Sequence, residues 1–275
     1  MSHYTVMVIT SNGDYESALA PFDENLDVEP YIRKTKQEII EQLKQRKQQY
    51  DEEIAKGGTD NWFKENYIDT VNWNNDESIY SAYRNVNDED EEFDEEGNEL
   101  STYNPQAKWD WYSLGGRWKG TLKLKEGAKV IKESDTSWCN SDEEIKKGYT
   151  DFAQVKDVDF SPNYKDIEHY RRFWEINVEG SPLRKNEKKE DFCSFWNAKY
   201  YLEKFGNVDN YIEDNCNITT YAILNHGEWI EPGEMGWWGC SGATQDGYSV
   251  YRQVYKDIIK NLNPEDYIAI VDCHI

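Results

Sequence analysis

The chain has 275 residues, 54 acidic against 31 basic side chains, a formal net charge of −23 and a mean hydropathy of −0.96. Such a charge repels polyanions, which excludes direct nucleic-acid binding through a basic patch and docking on anionic membranes; it favours a basic protein partner or a cation. Eleven Trp, 20 Tyr and 9 Phe offer large areas for burial, so an aromatic-rich globular core is expected rather than disorder.

The first stretch, HYTVMVI (3–9), is β-branched and apolar and reads as a buried strand, too short for a membrane span or the apolar part of a leader. ALAPFDENLDVEPYI reads as an ordered loop whose Asp23 and Glu24 are either solvated turn acids or a carboxylate pair. A helix is expected from about Pro30 to Lys56-Gly57-Gly58, with Ile32, Ile39, Ile40, Leu43, Tyr50 and Ile54 at helical spacing. DNWFKENYIDTVNW and ESIYSAYRNV read as short helices. NDEDEEFDEEGNE (87–99) reads as an exposed acidic loop. Its acids Asp88, Glu89, Asp90, Glu91, Glu92, Asp94, Glu95 and Glu96 are the candidates for contacting a partner, as a mimic of a phosphate backbone; the calcium-loop pattern does not register.

WDWYSLGGRWKG (109–120) admits two readings. It is a core strand in which Asp110 pairs with Arg117, or a ligand bed made of Trp109, Asp110, Tyr112, Gly116, Arg117 and Trp118. GTLKLKEG alternates like a strand, and 126–160 reads as an irregular excursion. NYKDIEHYRRFWEINVEG reads as a helix passing into a strand at FWEINV, RKNEKKE (184–190) as an exposed loop, and DFCSFWNAKYYLEKFG as an amphipathic helix closed by Gly206. ITTYAILNHGEWIEPG is a hairpin. EPGEMGWWGCSG (231–242) has the same character as the first aromatic motif, with Glu231, Glu234, Trp237 and Trp238. Folded against that motif, it would wall an aromatic cleft for a small nucleotide-like ligand. YSVYRQVYKDIIKNLNPED is a helix with Val250, Val254, Ile258 and Leu262 on one stripe, and YIAIVDCHI is a buried strand.

These elements imply an α+β fold: a single domain over 1–275 with a mixed or antiparallel sheet that includes both terminal strands, flanked by helices. If the terminal strands are neighbours, His3 and His274 meet near Asp272, a candidate set for a divalent metal or for acid–base chemistry. His169 and His226 are expected on the surface. The cysteines (Cys139, Cys193, Cys216, Cys240 and Cys273) form no CxxC pair and read as thiols of a cytoplasmic protein. GxGxxG after a strand, Walker A, HExxH, GxSxG and zinc-spaced Cys/His clusters are all absent, so no cofactor is expected.

The ordered motifs HYTVMVI, LAPFDENL, NPQAKWDWYSLGGRWKG, GEWIEPGEMGWWG and VDCHI resemble a protein family of bacteriophages and prophages that has no established activity. The resemblance implies a phage accessory protein that binds and inhibits a host protein, as a host-takeover or counter-defence factor. Two alternatives stand beside it: a nucleotide-like small-ligand binder, and a metal- or carboxylate-dependent hydrolase. A homo-oligomer is compatible with each.

Overall fold

The structure, a computed structural model, describes residues 3–87, 91–134, 145–236 and 240–275. In chain order these form β1 (His3–Thr10), α1 (Tyr15–Leu19), β2 (Tyr31–Lys34), α2 (Lys36–Ala55), α3 (Asn61–Phe63), α4 (Asp76–Asn87), β3 (Glu92–Phe93), β4 (Glu99–Ser101), β5 (Trp111–Leu114) and β6 (Leu122–Lys123). There follow β7 (Tyr149–Thr150), β8 (Phe152–Gln154), α5 (Ile167–Asn177), α6 (Ala198–Phe205), α7 (Val208–Cys216), β9 (Ala222–Asn225), β10 (Glu228–Ile230), α8 (Gln245–Lys260) and β11 (Tyr267–His274). The fold class is α+β. Contacts divide the chain into two compact units, Met1–Asn25 with Gln106–Ile275, and Leu26–Pro105. No helix among the described residues is long and apolar enough to cross a membrane.

In the larger unit the sheet runs β10–β9–β1–β11–β5, with β8 also paired to β11. The two terminal strands lie antiparallel at its centre, from His3 opposite His274 to Thr10 opposite Tyr267, while β1 and β9 are parallel, so the sheet is mixed. Side chains alternate between faces along each strand. Tyr4, Val6 and Val8 share one face with Ala269, Val271 and Cys273, covered by α1, Phe22 and Trp109. Met7, Ile9, Ile223, Ile268 and Ile270 share the other, covered by α8.

Several elements differ from the sequence reading, each for a packing reason. The expected stripe holds at Ile258 of α8 and at Leu262 just after it, which pack on the sheet-side core, but the buried residues of α8 are Tyr251 and Tyr255, and Val250 is 64% exposed. The tyrosines bury more area, and their hydroxyls donate to the carbonyls of Thr220 (3.0 Å) and Ile218 (2.6 Å). FWEINV stays helical in α5, because Phe173 and Trp174 pack on Tyr211 of α7, which overrides their strand preference. Helix α6 starts only at Ala198, capped by Asn197, which leaves Phe195 and Trp196 outside it. The supposedly irregular 126–160 stretch supplies β8 to the sheet.

In the smaller unit the helix begins after Thr35, not at Pro30. Thr35 and Glu38 form a capping box, and Ile32 sits on β2, half exposed. The acidic run is not a free loop: β3 and β4 pair as a hairpin. Glu99 is buried against Arg33, Lys34 and Tyr83; burial favours its neutral form, but the Tyr83 and Arg33 hydrogen bonds hold its carboxyl below the usual range. Glu91 pairs with Arg33 at 2.7 Å, and Asp94 accepts the N–H groups of Glu96 and Asn98. Glu92, Glu95 and Glu96 are exposed, while Asp88, Glu89 and Asp90 lie outside the described residues.

Ile270, fully buried at the sheet centre, supports a simple test of this packing. Ile270→Ala is expected to cost about 2–5 kcal/mol in urea unfolding. Ile32→Ala is expected to stay within about 0.5 kcal/mol of the parent.

Candidate active site

At one end of the sheet, the face that carries Met7 and Ile270 turns polar. Strand alternation places His3 and Thr5 of β1, Asp272 and His274 of β11, and Trp111 and Ser113 of β5 on that one face. His3 lies opposite His274, Thr5 opposite Asp272, and Asp272 opposite Ser113. His3 Nδ1 is 2.8 Å from Asp272 Oδ1, and His274 Nδ1 is 2.6 Å from Asp110 Oδ1. The two imidazoles meet edge to face with centroids 5.0 Å apart, and Trp111 stacks on His274 at 5.0 Å. A carboxylate only accepts, so each Nδ1 carries its hydrogen and each Nε2 is left as the nitrogen that takes or gives a proton. His274 Nε2 and Ser113 Oγ are buried with no hydrogen-bond partner among the described residues.

The Gly-Gly turn exists because of what lies beneath it. Asp272 is 2% exposed, and its second oxygen accepts the Arg117 N–H at 2.9 Å. Gly116 has φ +51°, and a Cβ there would overlap Asp272 and lie 2.7 Å from Ser113 Oγ. Gly115, at φ +77°, sits in the same way over Asp151. Asp151 is fully buried and accepts the N–H groups of Gly120 (2.7 Å) and Thr121 (2.9 Å) and the Ser134 hydroxyl. Burial pushes its carboxyl up. The 113–121 segment therefore wraps two buried carboxylates with backbone N–H groups.

The proposed ligand bed divides between the two faces. Trp109 and Tyr112 lie in the opposite core; the Trp109 indole N–H donates to Leu19 O at 3.2 Å, and burial pushes the Tyr112 hydroxyl up to about 12. Asp110 does not pair with Arg117: it holds His274, and the Arg117 side chain is exposed, with no ion pair among the described residues. Glu234 is exposed and apart from the cluster's hydrogen bonds, and Trp237 and Trp238 lie outside the described residues. Glu231 takes Lys108 Nζ, from the residue just before the first aromatic segment, and the Trp229 indole N–H, each at 2.9 Å.

LAPFDENL also converges here. Glu24 N–H donates to Trp109 O at 2.8 Å, and Asn25 Nδ2 to Asp110 O at 3.2 Å. Burial, and then the charges of Asp110 and Asp23, raise the Glu24 carboxyl. As for a metal, the described residues contain no group of three or more His, Cys, Asp or Glu side chains placed to hold an ion. His3 and His274 spend their Nδ1 atoms on separate carboxylates instead.

A cavity of about 770 Å³ opens beside this cluster. His3, Thr5 and Trp118 line one part, and α6, α7 and α8 with Pro232 and Met235 line the rest. His3 is the member of the histidine pair that reaches it; its side chain is 9% exposed. Trp196, Tyr200, Lys204 and Tyr248 also line it, and none of them stood out in the sequence, where they read as parts of ordinary amphipathic helices. Compared with known proteins, the chain matches no family model, no curated protein and no solved structure.

Gly116→Ala combines a left-handed backbone with overlap onto a buried carboxylate. The expected loss is about 2–5 kcal/mol in chemical unfolding, well beyond an ordinary Gly→Ala change.

Proposed function

We propose that the unit formed by Met1–Asn25 and Gln106–Ile275 is an enzyme domain of the hydrolase type, with His3 as its general base. The observation that carries this reading is the pair of carboxylate-fixed imidazoles, one of which faces a cavity large enough for a small molecule. A carboxylate on Nδ1 selects the tautomer whose Nε2 is basic and stabilises the imidazolium that forms on protonation. His274 is too enclosed to touch a substrate; with Asp110 it positions the His3 ring.

In the reaction, water gives a proton to His3 Nε2 while its oxygen bonds to the electrophilic centre of a bound ester or anhydride. The leaving oxygen departs with the electron pair of the broken bond and takes the proton from His3, so no net charge is left on the protein. General base catalysis of this kind contributes about 10²–10⁴-fold. In the phage setting that the motifs imply, an accessory protein that captures and cleaves a small host molecule is a form of counter-defence.

The test uses p-nitrophenyl acetate, p-nitrophenyl phosphate and bis(p-nitrophenyl) phosphate. Turnover of at least one of them is expected to fall by about 10²–10⁴-fold in His3→Gln with the fold intact by circular dichroism. Equal rates in parent and variant, or no turnover above buffer on any of the three, would count against the reading.

A second reading, an inhibitor that binds a host protein, is favoured by the exposed Glu92, Glu95 and Glu96 on the β3–β4 hairpin. Replacing these three with Lys is expected to abolish capture of a basic host partner in pull-downs. Undiminished capture would remove the hairpin from that role.

A further inference from the structure

We infer that the cavity takes a nucleoside phosphate, with the base stacked beside Trp196 and Tyr200 and the phosphate drawn to Lys204; this rests on the proposed hydrolase site and names its substrate class. The protein carries −23, yet the charged groups lining this cavity, His3 aside, are the four cations Lys204, Arg252, Lys256 and Lys260 against the two carboxylates Glu213 and Asp214. A cavity with low-dielectric walls and an excess of one sign focuses its field on a ligand of the other.

Both carboxylates are already engaged. Asp214 receives Arg252 in a two-pronged pair at 3.0 and 3.1 Å, and Glu213 takes Lys256 at 2.7 Å. Lys204 makes no ion pair with any described residue. Its ammonium sits over the rings of Phe205 (5.2 Å), Tyr200 (5.8 Å) and Tyr248 (5.9 Å). Ring faces attract a cation without neutralising it, so its charge stays available to an anion.

The second half of the ligand follows from the walls. Trp196 stacks on Tyr200 with centroids 4.6 Å apart and planes at 18°, and Trp196 remains 52% exposed. A planar heteroaromatic ring on the exposed part of Trp196 would extend that stack; base–aromatic stacking is worth about 1–3 kcal/mol. One ligand class combines a stacking base with an anion at short range, and a cavity of about 770 Å³ accommodates it whole. His3 lines the same cavity, so a nucleotide bound there shares that space with its imidazole.

The experiment measures binding by calorimetry and tryptophan fluorescence, using AMP, GMP, CMP and UMP, the matching nucleosides, and inorganic phosphate. It is run on the His3→Gln protein, so that turnover does not enter. At least one nucleotide is expected to bind, at least 10-fold tighter than its nucleoside and than phosphate. Lys204→Met is expected to weaken it by 10-fold or more and Lys204→Arg to restore most of it, while Trp196→Ala weakens nucleotide and nucleoside alike. No binding by any of the four at millimolar concentration overturns the inference, as does equal binding of nucleotide and nucleoside or full affinity in a folded Lys204→Met variant. Binding without turnover in the parent protein removes the hydrolase reading and leaves this assignment standing; turnover of p-nitrophenyl acetate without nucleotide binding does the reverse.

Discussion

The larger unit depends on the burial of one carboxylate, Asp272, at the end of its central strand. A charged group taken out of water must be met by hydrogen-bond donors, and the His3 imidazole and the Arg117 amide meet Asp272. Each donor imposes a condition on a distant part of the chain. The first requires β1 to pair with β11 in the register that sets Thr5 opposite Asp272, since a slip of β1 by one residue would bring Tyr4 to this face in place of His3. The second requires the chain after β5 to turn so tightly over the carboxylate that the turn residue has no Cβ. The same oxygen atoms that anchor the sheet end also fix the tautomer of His3. The sheet end and the histidine pair share one set of hydrogen bonds here.

The cavity shows the complementary constraint, a local positive field kept inside an acidic protein. Its arginine and one lysine are matched to carboxylates on neighbouring helices, which fastens α7 to α8. Lys204 is held differently, by the faces of three rings, which compensate part of its desolvation while leaving its charge uncancelled. A carboxylate in place of any of those rings would neutralise the ammonium and reduce the local excess of positive charge. The aromatic richness of the composition thus has an electrostatic use in addition to its packing use.

How far the sequence alone reaches follows from the range of each signal. The terminal strands, the NHG hairpin and the Gly206 stop were readable because alternation, turn chemistry and helix termination are local. The meeting of His3, His274 and Asp272 was readable for the same reason: two strands with period two, once paired, leave few alternatives. What was not readable depended on partners far along the chain. Val250 fits a helical stripe as well as Tyr251 does, and only the carbonyls at 218 and 220, waiting for hydroxyls, decide between them. FWEINV has strand-forming residues, and packing on Tyr201 and Tyr211 keeps it helical. Glu99 looked like one more surface acid until Arg33 and Tyr83 closed over it.

The tryptophan-rich motif divides its two readings between the faces of the sheet. The core reading holds for Trp109 and Tyr112, while alternation along β5 sends Trp111 and Ser113 to the polar rungs. Trp109 completes the first core, and Trp118 reaches the cavity after the turn. Arg117, the most conspicuous polar residue of the motif, contributes through its backbone amide, which any residue except proline supplies. The demanding position is the preceding glycine, because its conformation and its missing side chain are both fixed by Asp272. A motif of large rings is therefore organised around its smallest residue, and the polar cluster beside it is built on the two histidines at the ends of the central strand pair.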